Sequence, residues 1–220
     1  MNHYCCKSKY KLMLTSKLFH PPETIDDSFY FIGPSIEERP VDDKFNFKKD
    51  KNKKLIYISL GIVFMENSEL FQKCIKAFGN VKEYQVILSI GRFVDIHQFG
   101  NLPDNIYAFN FVPQIQVLKQ ADIFITHGGI NSIDEAMLLF NLPLIIIPQA
   151  LDQYDNAHQI EKYKAGITLD KNNITEEILK NAVINFLEKK EVYKKGVDII
   201  VESFKEARKE RKKIYENLLV

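Results

Sequence analysis

The fold class predicted by the sequence is α/β, a doubly wound, Rossmann-like parallel sheet, and three observations predict it. From residue 54 onward, short β-rich runs alternate with stretches whose apolar residues recur at helical spacing, the pattern of a βα series. The runs are rich in isoleucine, valine and aromatic side chains, which suit a pleated, half-buried surface. One of them, LIII at residues 144–147, is apolar without a break, as expected of a strand covered by helices on both faces of the sheet.

Taken in order, residues 1–36 carry one apolar run at 12–14, then HPPETIDD and FYFIGPS; Pro21, Pro22, Gly33 and Pro34 break this part into extended pieces that form no core alone. Residues 37–54, EERPVDDKFNFKKDKNKK, are dense in charge and poor in aliphatic side chains, which suits a solvated linker and sets the domain boundary there. KLIYISLG follows as a strand ending in glycine, and residues 67–78 place Leu70, Phe71, Cys74, Ile75 and Phe78 on one helical face. YQVILSIG repeats the strand-then-glycine form, and NIYAFNF, ADIFIT, PLIIIP and GITL supply further strands. Thr175 precedes glutamates as a helix cap, with Leu179, Ala182, Val183, Phe186 and Leu187 on one side of the helix it starts. A last helix repeats the device with Tyr193, Val197, Ile200, Val201 and Phe204, and its tail, KEARKERKK, reads as a solvated helix face.

Of the 220 residues, 45% are hydrophobic and 27% charged, a globular composition able to bury one sizeable core. Thirty Lys and Arg almost cancel 29 Asp and Glu, so no overall field draws the chain to nucleic acid or an anionic membrane. Cys5, Cys6 and Cys74 are odd in number and form no C-x-x-C pair, which argues against a disulfide framework or structural zinc and fits a reducing cytoplasm. No apolar stretch approaches the roughly 20 residues that span a bilayer. The start, MNHYCCKSKYK, has no signal-peptide core.

FITHGGINSIDEA, residues 124–136, is the stretch with chemistry in it. Ligands of open parallel sheets bind outside the carboxyl ends of strands, where loops lead into helix N-termini. Glycines there allow close backbone approach, and the first helical turn offers N–H groups and a positive dipole end to an anion. Ser132 followed three residues later by Glu135 also spells a capping box, so the pair alone leaves a helix cap and a ligand site both open. The redox fingerprint G-x-G-x-x-G and the P-loop are absent, which disfavours a nicotinamide enzyme, and no D-x-D pair occurs to hold a divalent metal on a diphosphate.

Residues 111–157, FVPQIQVLKQADIFITHGGINSIDEAMLLFNLPLIIIPQALDQYDNA, resemble the donor-binding signature of family 1, UDP-dependent glycosyltransferases of the GT-B fold, most closely the bacterial macrolide-glycosyltransferase type. The likeness covers the chain from about residue 11 to the C-terminus, including TSKLFHPP, FYFIGPS and LSIGR. It implies the C-terminal half of a GT-B fold, with 1–36 a remnant of the acceptor domain's end, 37–54 a linker and 55–220 the UDP-sugar donor domain.

The resemblance places Phe111 and Val112 against the uracil ring and Gln114 at the base or ribose. Glu135, one turn from Ser132, matches the carboxylate that accepts from ribose hydroxyls. His127, Gly129, Asn131 and Ser132 match the residues around the diphosphate. Asp152 and Gln153 match those at the transferred sugar's hydroxyls, although Asp152 also reads as a helix N-cap. Ile62 stands where the family usually has a hydroxyl that reaches a phosphate. Asn141 and Lys164 each replace a usual glycine: asparagine tolerates left-handed backbone, and a lysine at a helix C-terminus favours the dipole. Arg92 matches a cleft-lining residue to which no role is given.

The implied reaction is inverting, metal-independent transfer of a hexose, glucose being the commonest, from UDP to a hydroxyl of a small acceptor such as a macrolide or flavonoid, without cofactor. The family's base is a histidine of the N-terminal acceptor domain, so no catalytic residue is assigned, and His3 and His20 are not that base. A truncated reading frame, an excised piece and a subunit that joins a separate acceptor-domain chain are the three accounts of such a half, and the Met1-Asn2-His3 start favours the first. An apolar stripe of Val197, Ile200, Val201 and Phe204 on the last helix would then be exposed and drive self-association. Two other readings are a non-catalytic nucleotide-sugar binding module and a GT-B nucleotide-sugar epimerase.

Overall fold

The computed structural model describes residues 8–37, 40, 42–61 and 68–218; His3, Cys5, Cys6 and Ile62 lie outside them. Strands β1 (Lys11–Met13) and β2 (Phe29–Phe31) pair in parallel as a separate two-stranded sheet. Six more strands follow, β3 (Lys54–Ser59), β4 (Tyr84–Ser89), β5 (Ile106–Phe109), β6 (Ile123–Thr126), β7 (Leu144–Ile146) and β8 (Gly166–Thr168). They form one sheet in the order β5-β4-β3-β6-β7-β8, every pairing parallel. Each of the runs read as strands from residue 54 onward is a strand of this sheet. The helices are α1 (Ser68–Phe78), α2 (Gln114–Leu118), α3 (Ile130–Phe140), α4 (Asp152–Lys162), α5 (Glu176–Glu188) and α6 (Lys190–Leu218).

Alternation of side chains along the strands divides the core in two. Leu55, Tyr57, Ile87, Phe124, Leu144 and Ile146 meet α2, α3, α4 and the first half of α6 on one face. Ile56, Ile58, Val86, Leu88, Ile125 and Ile145 meet α1 and α5 on the other. Residues 55–58 are each at most 1% exposed, which is why their run is apolar at every position rather than alternating. From β3 the chain winds outward through β4 to β5, then returns to the other side of β3 and winds outward again from β6 to β8. The two directions part between β3 and β6, and a crevice opens there at the carboxyl ends, the switch point of a doubly wound sheet.

Local signals decide several ends. Thr175 Oγ1 accepts from Ile178 N at 3.2 Å and caps α5. Asn141 closes α3 in left-handed backbone at φ 47°, and its amide donates to Asp198 Oδ1 at 2.8 Å. Lys164 is also left-handed, at φ 52°, and stands two residues past the end of α4 rather than within it. Gly196 lets α6 press on that turn, since a Cβ there would lie 2.3 Å from the carbonyl oxygens of Tyr163 and Lys164.

Three expectations change. The apolar stripe of α6 is not exposed: Val197, Ile200 and Phe204 are fully buried, with Phe19 edge-on to Phe204 at 5.5 Å, and Val201 is partly buried against the same core. The basic tail is more than a solvated face. Arg211 donates to the carbonyls of Ile32, Gly33 and Pro34 at 2.8–2.9 Å, and Arg208 to that of Ile36 at 3.2 Å, so both hold the N-terminal segment. Residues 42–53 are not freely solvated either. Phe45 and Phe47 pack edge-on against Phe109 and Tyr107 at 5.2 and 5.1 Å, and Lys49 pairs with Asp122 at 2.6 Å, because aromatic and lysine side chains anchor a stretch that its net composition describes as polar.

Candidate functional site

Ser59 and Thr126 stand opposite each other in register at the carboxyl ends of β3 and β6, and the two turns that follow them build the crevice. His127 leaves β6 into that crevice with its imidazole between two glycine backbones. A Cβ on Gly129 would lie 2.5 Å from Nε2 and one on Gly61 3.0 Å from the same atom, so both positions are small because the ring occupies the space. Burial lowers the pKa of His127 below its ordinary value, against the opposing pull of the Ser59 backbone and the Asp152 carboxylate. The ring is therefore neutral at pH 7 and gains a proton readily only if an anion arrives beside it. Asn156 on α4 donates to the Gly128 carbonyl at 2.9 Å and ties the far wall of the crevice to this turn.

Helix α3 starts directly from the turn. Its N-cap is Gly129 and no side chain caps it, so the S-x-x-E pair is not a capping box. The helix begins at Ile130, which puts Ser132 and Glu135 inside it, on the face toward α2. There Gln114 Nε2 donates to Ser132 Oγ at 3.2 Å and to Glu135 Oε2 at 2.8 Å, while Gln114 Oε1 accepts from the Tyr57 hydroxyl at 3.3 Å. Tyr57, Gln114 and Glu135 line a cavity of about 410 Å³. Phe111 stands at its rim, 59% exposed, with the Arg92 guanidinium 5.8 Å over its ring; Val112 also lines it while its side chain is 5% exposed and packs in the core. Asn131 is exposed at the start of α3.

Asp152 opens α4, but the cap position belongs to Leu151, at φ 56° and 61% exposed, and no side chain caps the helix. Asp152 is thus within the first turn and free of capping duty. Gln153 is 8% exposed, and its Oε1 accepts from Gln149 N at 2.7 Å and Ala150 N at 3.2 Å, which holds the loop before α4. Beyond Asp152 a second cavity of about 390 Å³ is walled by Met13, Leu14, Phe19, Ile130 and Leu151. The structure therefore gathers Phe111, Val112, Gln114 and Glu135 around one cavity, His127, Gly129, Asn131 and Ser132 at the crevice, and Asp152 at the edge of the other cavity. Sequence reading missed Tyr57, Ser59, Ser89 and Asn156. Ser59 and Ser89 end β3 and β4, Tyr57 lies within β3 and Asn156 within α4, and a single polar side chain at such places is too common to single out.

A parallel sheet with a glycine-flanked histidine and a helix N-terminus at its switch point defines a Rossmann-type domain of the α/β class. The particular family is shown by comparison: residues 64–211 match the model of the glycosyltransferase family 28 C-terminal domain. The chain belongs to this family, as the C-terminal half of a GT-B glycosyltransferase. It is 35% identical over 201 residues to the uncharacterized UDP-glucosyltransferase YdhE of Bacillus subtilis (strain 168), with 91% of this chain and 50% of that one covered. It is 30% identical over 183 residues to the oleandomycin glycosyltransferase of Streptomyces antibioticus, covering 82% and 42%. The crystal structure of the glycotransferase of kitacinnamycin superposes with a TM-score of 0.80 at 28% identity, covering 91% of this chain and 51% of that one. The chain thus spans about half the length of the curated relatives it matches.

Proposed function

We propose that this chain is the donor-binding half of a UDP-sugar-dependent glycosyltransferase that transfers a hexose, glucose first among them, to a hydroxyl of a small acceptor of the macrolide or flavonoid kind. The observation that carries the proposal is the run of chemistry along the crevice: an aromatic rim, a carboxylate held by Gln114, a histidine between two glycines at the start of α3, and a free carboxylate at the start of α4. Uracil packs at Phe111 and Val112, ribose hydroxyls donate to Glu135, and the diphosphate lies at His127, Gly129, Asn131 and Ser132. Asp152 accepts from sugar hydroxyls, and Gln153, whose carbonyl is engaged, contributes through its amide or by holding the loop. The names of relatives support UDP-glucose as donor and a macrolide as acceptor.

In the transfer, an acceptor oxygen attacks the anomeric carbon with inversion as the bond to UDP breaks. The electron pair leaves on the diphosphate, where the helix N-terminus and an N–H of the His127 ring stabilise it. The general base comes from an acceptor domain, in another part of the protein or another chain. Calorimetric titration with UDP tests the reading: UDP binds, and His127→Ala weakens it about tenfold or more, the worth of a charge-assisted hydrogen bond, while uridine affinity is unchanged. No heat with UDP, UDP-glucose or UMP sinks the proposal. If UDP binds, sugar transfer to a flavonoid after an acceptor domain is supplied separates the enzyme from a binding module.

A further inference from the structure

We propose that Tyr57 is a positioning residue of the nucleotide site, orienting Gln114 and through it the Glu135 carboxylate toward the ribose; this rests on the UDP-sugar reading above. Tyr57 lies in the middle of β3, 1% exposed, at a position where the face of the sheet is otherwise apolar, with Leu55, Ile87 and Phe124 as neighbours. A buried hydroxyl at such a place costs stability unless it is bonded. Its ring lies flat on Phe124 of β6, centroids 4.9 Å apart and planes 6° from parallel, which sets the plane of the ring and the line along which its hydroxyl projects. That line leads to the cavity, beside Ser59 and Ser89, which pair in register one step nearer the carboxyl edge.

The hydroxyl donates to Gln114 Oε1 at 3.3 Å, and burial raises its pKa so that it remains a donor at any working pH. With the carbonyl end of the amide held, the amino end faces Ser132 Oγ and Glu135 Oε2. The flipped amide would set its oxygen against the Glu135 carboxylate and forfeit that bond. The Glu135 carboxylate selects the orientation of Gln114, Tyr57 anchors the opposite end of the amide, and one of the two Glu135 oxygens is held in place. Gln114 sits at the start of a helix of five residues, a length that is marginal as a helix without tertiary contacts. The hydroxyl from the sheet supplies one such contact.

The test compares UDP with 2′,3′-dideoxy-UDP, which lacks both hydroxyls that Glu135 would accept, by calorimetry on the whole chain. In the wild-type protein UDP binds more tightly. Tyr57→Phe keeps the stacked ring, and it lowers the ratio of the two affinities by about fivefold, the worth of one ordinary hydrogen bond, while dideoxy affinity stays within about twofold. A second variant guards against a folding defect: Gln114→Met lowers the same ratio, and Tyr57→Phe added to it lowers it no further, since the two act in series. A folded Tyr57→Phe with the wild-type ratio, or an additive double variant, overturns the assignment and leaves the function standing. Failure of the wild-type chain to bind UDP overturns both.

Discussion

Asp134, on the second turn of α3, is 3% exposed, and its Oδ1 has no hydrogen-bond partner. Burial pushes its carboxyl up to about 8, with Glu135 adding to the rise and Arg208 opposing it. The same group in an unfolded chain titrates near 3.9. Between those two values the folded protein holds a proton that the unfolded chain has released, so stability falls as pH rises through this window and levels off above it. Asp134→Asn removes the charge without changing the shape. It raises unfolding stability at pH 8 by about 1–3 kcal/mol, because the amide carries no charge to desolvate, and the gain fades toward pH 4. Urea unfolding at several pH values measures this, and an equal effect at every pH would contradict it. The sequence marked Ser132 and Glu135 on either side and was silent on Asp134, because apolar spacing marks the apolar residues of a buried face and not a carboxylate among them.

Helix α6 shows what a periodic pattern leaves undecided. Its apolar stripe was legible, and burial of Val197, Ile200 and Phe204 agrees with the spacing, but the partner surface comes from the distant Phe19 and from α3. Phe204→Ala costs about 3–5 kcal/mol as a core truncation, read in a denaturation curve. The second half of α6 acts through Arg211, whose guanidinium holds three successive carbonyls of residues 32–34. Gly33 permits that approach: its φ is 68°, and a Cβ would lie 2.7 Å from Arg208 Cγ. Arg211→Ala frees the segment and speeds proteolytic cleavage near residues 32–36, whereas Lys209→Ala on an exposed position changes nothing; equal rates in both variants would refute the anchoring role.

At the scale of the molecule, the crevice between β3 and β6 is built within one sheet and its helices, whereas the parallel pair β1–β2 exposes Leu12 at 44% and stands apart from that sheet. Among the described residues no helix is long and apolar enough to cross a membrane. A site complete within the domain predicts that UDP binding stabilises this chain alone, by about 2.7 kcal/mol when UDP is present at 100 times its dissociation constant. The proposed split of the chemistry between two domains predicts that the chain alone releases no UDP from UDP-glucose in the presence of a flavonoid, and does so when an acceptor domain is added. Rapid release by the chain alone would show that a base lies within these residues.

The sequence by itself determined the strands, the turn that follows β6, the Thr175 cap and the left-handed Asn141. Each of these follows from side-chain periodicity or from backbone preferences that act within a few residues. Only the tertiary structure decided that Ser132 and Glu135 turn to Gln114 instead of capping α3, that Asp152 lies inside α4, that the stripe of α6 is covered, and that Tyr57 reaches the site. Each side chain had more than one way to satisfy its polar or apolar surface. The choice fell to partners far along the chain, at distances no local pattern encodes: 21 residues for Gln114 and Glu135, and 57 for Tyr57 and Gln114.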